Sequence, residues 1–162
     1  MTPKDGLKAP KAVARAGTWK VVTGKAKMPR GAFPLARPFQ LGRRWHWRVD
    51  TLEAGGVHLL LLTAYEPQRE EFLAWLSYQR GAGYVMLAQL EFHGTHPGWH
   101  CHTCCRDVSE IPAGETRPRN FLRFPSSENT HRRIDFEMSD QAALARAFKF
   151  FRVNAPREDQ FI

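Results

Sequence analysis

The sequence predicts an α+β domain, with an antiparallel sheet of about four to six strands, two helices packed on one face, and a basic N-terminal arm in front. Three observations predict it. Period-two alternation and short apolar runs, punctuated by Gly and Pro, occupy residues 45–64 and 84–105. Two longer segments have helical spacing and helix-start signals. Charge is one-sided: residues 1–44 hold eleven Lys/Arg and one acid, residues 45–162 thirteen and fifteen.

Residues 1–40 lack sustained periodicity and carry Pro3, Pro10, Pro29, Pro34 and Pro38, which predicts an arm with at most a short strand over 19–22. The folded body, residues 41–162, begins with a half-buried strand over 45–52. Gly55-Gly56 turns it into an apolar strand over 57–64. Pro67 then predicts a helix: Glu70 and Glu71 suit its positive end, Phe72, Leu73 and Leu76 form a stripe, and Gly81 ends it. A strand over 84–93, a Pro-Gly turn within 95–98 and a returning strand over 99–105 make a hairpin. The stretch 111–129 reads as a loop with one short strand near 121–124, and 133–137 as a last strand. Ser139 caps a final helix to about residue 153, burying Leu144, Ala147, Phe148 and Phe151.

A chain of 162 residues is long enough to bury one core without disulfides. No apolar run approaches the roughly 20 residues of a membrane helix, and the three cysteines are too closely spaced for a disulfide framework. These features predict an intracellular, cytoplasmic protein with no membrane partner. The evenly spaced Lys4, Lys8, Lys11, Arg15, Lys20, Lys25, Lys27 and Arg30 suit contact with phosphate backbones, so nucleic acid is the expected partner.

Chemistry is densest at His93-Gly-Thr-His-Pro-Gly-Trp-His-Cys-His102, followed by Cys104 and Cys105. Alternation puts Gln89, Glu91 and His93 on one face of the first hairpin strand, with Leu90 and Phe92 opposite. On the return strand His100, His102 and Cys104 share a face, and Trp99, Cys101 and Thr103 oppose it. An in-register hairpin therefore gathers Glu91, His93, His100 and His102 on one surface. Three imidazoles on one side of a rigid hairpin suit a divalent metal (Mn, Mg or Zn), with open positions for water or a phosphate oxygen.

The spacing of His93, His100 and His102 resembles the three-histidine motif of plasmid-mobilisation relaxases in the HUH endonuclease superfamily. There a histidine, a short turn and a His-x-His strand bind one divalent metal. The resemblance implies cleavage of single-stranded DNA at a metal-bound phosphate, with His93, His100 and His102 as ligands and a tyrosine as nucleophile. The family's nucleophile lies upstream of the motif, which makes Tyr65 and Tyr78 the candidates here. The chain has Thr95 where relaxases usually carry Asp, and no tyrosine follows the motif.

Other readings use the same residues. Cys101, Cys104 and Cys105 with His96, His100 or His102 could supply a tetrahedral structural zinc site. Two histidines acting as general base and acid, with Arg106, Arg117 or Arg123 on the phosphate, would make a metal-independent ribonuclease. A non-catalytic interaction module would use the hairpin as a plain surface, with His46, His58 and His131 structural.

Overall fold

The computed structural model describes residues 3–24, 26–37, 39–93, 98–104, 107–119, 121–124 and 137–154. Their order is α1 (Pro3–Lys8), β1 (Lys11–Arg15), β2 (Lys20–Val21), β3 (Ala26–Lys27), β4 (Gln40–Leu41), β5 (His46–Ala54), β6 (Val57–Glu66), β7 (Glu71–Arg80), β8 (Gly83–Phe92), β9 (Trp99–Cys104), β10 (Phe121–Phe124), α2 (Asp140–Phe151) and β11 (Val153–Asn154). A one-turn 3-10 helix, Val108–Glu110, lies between β9 and β10.

Strands β5 to β10 follow one another as an antiparallel meander, each paired with the next. Tight turns make this order possible. Gly55, Gly56 and Gly81 all take positive φ, a conformation open to glycine without steric cost. On the other side of β5, β1 pairs antiparallel and then β11 joins it in parallel, while β2 also pairs with β5. Among the described residues this gives nine strands in one sheet, with β3 and β4 forming a separate two-stranded ribbon. The fold is thus α+β and mostly antiparallel, as expected, but with nearly twice the strand number.

Both faces of the sheet are covered. Leu52, Leu59, Leu61, Phe72, Leu76, Val85 and Leu87 form one face, buried under Ala143, Ala147, Phe148 and Phe151 of α2, and Leu7 of α1 packs on the same core. Ser139 caps α2 by accepting from the Ala142 amide at 3.3 Å, the expected helix start. The other face carries Leu60, Leu62, Leu73, Trp75 and Met86, covered by Val22, Met28, Phe33, Leu35 and Leu41 from the N-terminal quarter.

Two expectations are corrected. Residues 71–80 are the central strand β7, and residues 67–70 are its entry turn, where Glu70 takes φ 52°. The reason is that β7 is buried on both sides: Phe72, Ala74 and Leu76 face the helices, and Leu73 and Trp75 face away. A strand covered twice reads as a continuous apolar run, which hides its period of two and imitates a helical stripe. The basic N-terminal segment does not stand off as an arm. It adds β1 and β2 to the sheet and supplies the cover of its second face.

Lys11 illustrates that incorporation. It is fully buried, and its ammonium donates to the carbonyls of Leu7, Ala9 and Phe151 at 3.3, 2.8 and 2.7 Å. One side chain thereby ties the ends of α1 and α2, whose last carbonyls lack partners within their helices. The expected short strands near 19–22 and 121–124 are present as β2 and β10. The strand expected over 133–137 falls outside the described residues up to 136, as does His131. Among the described residues no helix is long and apolar enough to cross a membrane.

Candidate metal centre

The site grows from the β8–β9 pairing. Glu91 stands opposite His100, and Gln89 opposite His102, while Phe92 meets Trp99 on the reverse face. This is the in-register hairpin that alternation predicts, and it brings Glu91, His93, His100 and His102 together on the face away from α2. Glu91, His100 and His102 are buried and His93 is partly exposed.

The Nε2 atoms of His93, His100 and His102 lie 3.3, 3.4 and 3.8 Å from a single atom, Oε2 of Glu91. The ring centroids of His93 and His100 are 5.3 Å apart, and those of His100 and His102 5.1 Å. The Nδ1 atom of His100 lies 3.3 Å from the Gly98 carbonyl, an acceptor, so Nδ1 carries a proton. Its Nε2 is the nitrogen turned to Glu91 Oε2, and so close an approach needs a proton or a metal cation between the two atoms.

The far side of Glu91 is fixed by donors. Trp75 Nε1 donates to Oε1 at 3.0 Å, and Arg117 Nη2 reaches Oε1 and Oε2 at 3.3 and 3.0 Å. Arg117 is steadied in turn by its Nε donating to Gln89 Oε1 at 3.4 Å, while Gln89 Nε2 donates to the Thr116 carbonyl at 2.7 Å. Burial opposes ionisation of Glu91. The hydrogen bonds from His100 and His93 and the charge of Arg117 overcome it, holding the carboxyl well below the usual carboxylate range. Burial, then Arg117, lowers His102 to about 4, so its ring is neutral near pH 7. An ionised carboxylate and a neutral imidazole are the protonation states a divalent cation requires.

Glu91, His100 and His102 each offer a ligand atom, all within 4.8 Å of one another, and among the described residues this is the one group that could hold a metal ion. Two histidines and one carboxylate form a known facial donor set for catalytic metals. The cluster opens into a cleft of about 680 Å³, whose lining includes Trp45, Trp75, Phe39, Arg117 and Arg123. Arg123 stands directly across from His102 on β10.

Of the expected ligands, His100 and His102 belong to this group. Glu91 joins His100 and His102, and His93 stands beside them against Glu91. A signal for Glu91 was present: it is an acid inside the apolar run of β8, on the same face as His93. The cysteines are not brought to this group. Cys101 and Cys104 belong to the helix-side packing, and neither forms a disulfide. Burial pushes the Cys101 thiol up to about 12, the opposite of what a thiolate ligand needs. His96, Cys105 and Arg106 lie outside the described residues.

The tyrosines lie across the sheet from the histidines. Tyr65 is buried in the helix-side core and Tyr78 packs against it. The Tyr65 hydroxyl donates to Asp140 Oδ1 at 2.8 Å, and His46 Nδ1 lies 3.1 Å from the same oxygen. Burial, together with the hydrogen bond to and charge of Asp140, drives the phenol far above its ordinary value, away from phenolate. Of the expected phosphate contacts, Lys11 is consumed inside the fold. Lys8, Arg15, Lys20 and Arg30 are exposed, Lys4 lies in α1 and Lys27 in β3, and Lys25 is outside the described residues.

No protein family, curated protein or solved structure matches this chain.

Proposed function

We propose that Glu91, His100 and His102 bind one divalent metal ion, and that the cleft uses it to act on a phosphodiester of single-stranded nucleic acid. The observation that carries the reading is the convergence of three imidazole Nε2 atoms on one oxygen of a buried carboxylate. Arg117 and Arg123 on the cleft wall supply cationic groups suited to an anionic substrate. A bound ion would polarise a phosphate oxygen and lower the pKa of a coordinated water. With both candidate tyrosines on the opposite face, the nucleophile in this reading is water, and no covalent phosphotyrosine forms.

The chain's own residues have separable tasks. Trp75 and Arg117 hold the Glu91 carboxylate so that Oε2 faces the histidines. The Gly98 carbonyl sets the His100 tautomer. Such outer partners commonly tune metal affinity by about 10–100-fold. His93, on the open side of the cluster, is placed to move a proton to or from a bound substrate.

The test is cleavage of labelled single-stranded DNA and RNA by chelator-stripped protein with and without Mn²⁺, beside His100→Ala plus His102→Ala. The reading expects cleavage that needs added metal and is lost in the double variant. Cleavage that continues in excess chelator would replace it with metal-independent acid–base chemistry. That second reading draws on the direct 3.3 Å approach of His93 Nε2 to Glu91.

A further inference from the structure

We infer that a second cavity, on the same sheet face but separate from the metal cluster, is a binding site for the phosphate of a nucleotide or of a nucleic-acid strand. It has a volume of about 660 Å³ and lies over β5 and β6, reaching the ends of β7 and β8 at Gln79 and Tyr84. Its lining contains Arg15, Lys20, Arg30 and His58, and no carboxylate. Among the described residues none of the three Lys/Arg side chains forms an ion pair. Three fixed positive charges around one concavity raise its potential and attract a counter-anion.

The cations are held there by the fold. Arg15 sits where the β1–β5 register slips between Val13 and Arg15, an irregularity that re-aims a side chain. Just after it Gly17 lies directly on β5: a Cβ there would come within 2.1 Å of the Val49 carbonyl oxygen, and its amide donates to Asp50 Oδ1 at 2.8 Å. Lys20 is on β2, paired with Trp47, and its ammonium lies 5.0 Å from the Trp47 ring centroid. Arg30 sits in a turn closed by the Ala32 amide donating to the Pro29 carbonyl at 2.9 Å, anchored on either side by buried Met28 and Phe33. Its Nη2 donates to the Ala36 carbonyl at 2.8 Å. Preorganised cations beside the aromatic side chains of Trp47 and Tyr84 match a phosphate ester attached to a ring better than a bare inorganic ion.

The strand form of this inference rests on the nucleic-acid reading above, and the nucleotide form stands without it. Binding is followed by fluorescence anisotropy of a short labelled single-stranded oligonucleotide, with ATP in parallel, in chelator so that the metal cluster plays no part. Arg15→Gln plus Arg30→Gln should weaken binding about tenfold and flatten its dependence on log salt by about 1.4 for the strand. Both side chains are exposed, so the variant should keep the wild-type unfolding temperature. Because binding is followed in chelator, failure of the metal reading would leave this measurement unchanged, which keeps the two failures distinguishable. Saturable ATP binding lost in the Arg variant identifies a nucleotide site, and oligonucleotide binding alone identifies a strand site. Wild-type affinity and salt slope in the Arg variant, or no binding of either probe by wild type, would overturn the inference.

Discussion

Two buried polar clusters, one on each face of the sheet, are built in opposite ways. Under the helices, Lys11 meets three carbonyls, and Tyr65 shares Asp140 with His46. These groups close gaps between elements, and each donor has an acceptor. On the other face, three imidazoles crowd one carboxylate oxygen, with two more donors behind it and a cleft in front. Such an arrangement is poor as packing and good as a cation site. The difference marks the second cluster as the one whose donor atoms could hold a metal ion.

That contrast can be broken by mutation, beginning with the largest effect. Phe151→Ala empties a fully buried position under α2 and should cost about 3–5 kcal/mol in chemical denaturation, while the folded fraction keeps its metal affinity. Loading the wild type with metal at 100 times Kd should add about 2.7 kcal/mol of stability. Glu91→Gln should abolish that gain, read as the shift in denaturation midpoint with and without metal.

Lys11→Met keeps the apolar stem and removes the donors, and should cost about 2 kcal/mol. It also has a pH signature. Burial, then Arg152, lowers Lys11 from 10.5 to about 8, so between those values the unfolded chain binds more protons than the native one. The Lys11 contribution to stability therefore rises with pH from about 8 to 10.5, and the slope in this window should be smaller in Lys11→Met. The smallest effect separates the faces most cleanly. Tyr65→Phe should cost about 1 kcal/mol through the lost hydrogen bond and leave metal binding and strand cleavage unchanged. A cleavage defect in this variant would return a tyrosine to the chemistry.

The hairpin was legible in the sequence because its polar and apolar residues alternate, and alternation puts Glu91, His93, His100 and His102 on one surface of an in-register pair. Ser139 announced α2 equally well. Residues 71–80 were not legible as a strand, since Phe72, Leu73, Leu76 and Trp75 are apolar on both faces and leave no period to read. The wrapping of the N-terminal quarter was hidden for a related reason. Val22, Met28, Phe33, Leu35 and Leu41 are isolated apolar residues among Gly, Pro and Lys, and they bury only because the sheet offers them a surface. Arg117 could be named from the sequence as one of three arginines that might meet a phosphate, but its direct contact with Glu91, made from a loop 26 residues away, leaves no local pattern to read.

Calorimetric titration of chelator-stripped protein with Zn²⁺ and Mn²⁺ tests the central claim most directly. The account predicts one ion bound per chain in the wild type and no binding in the protein carrying Glu91→Gln plus His100→Ala. No heat of binding in the wild type, or the same stoichiometry and affinity in both proteins, would contradict it.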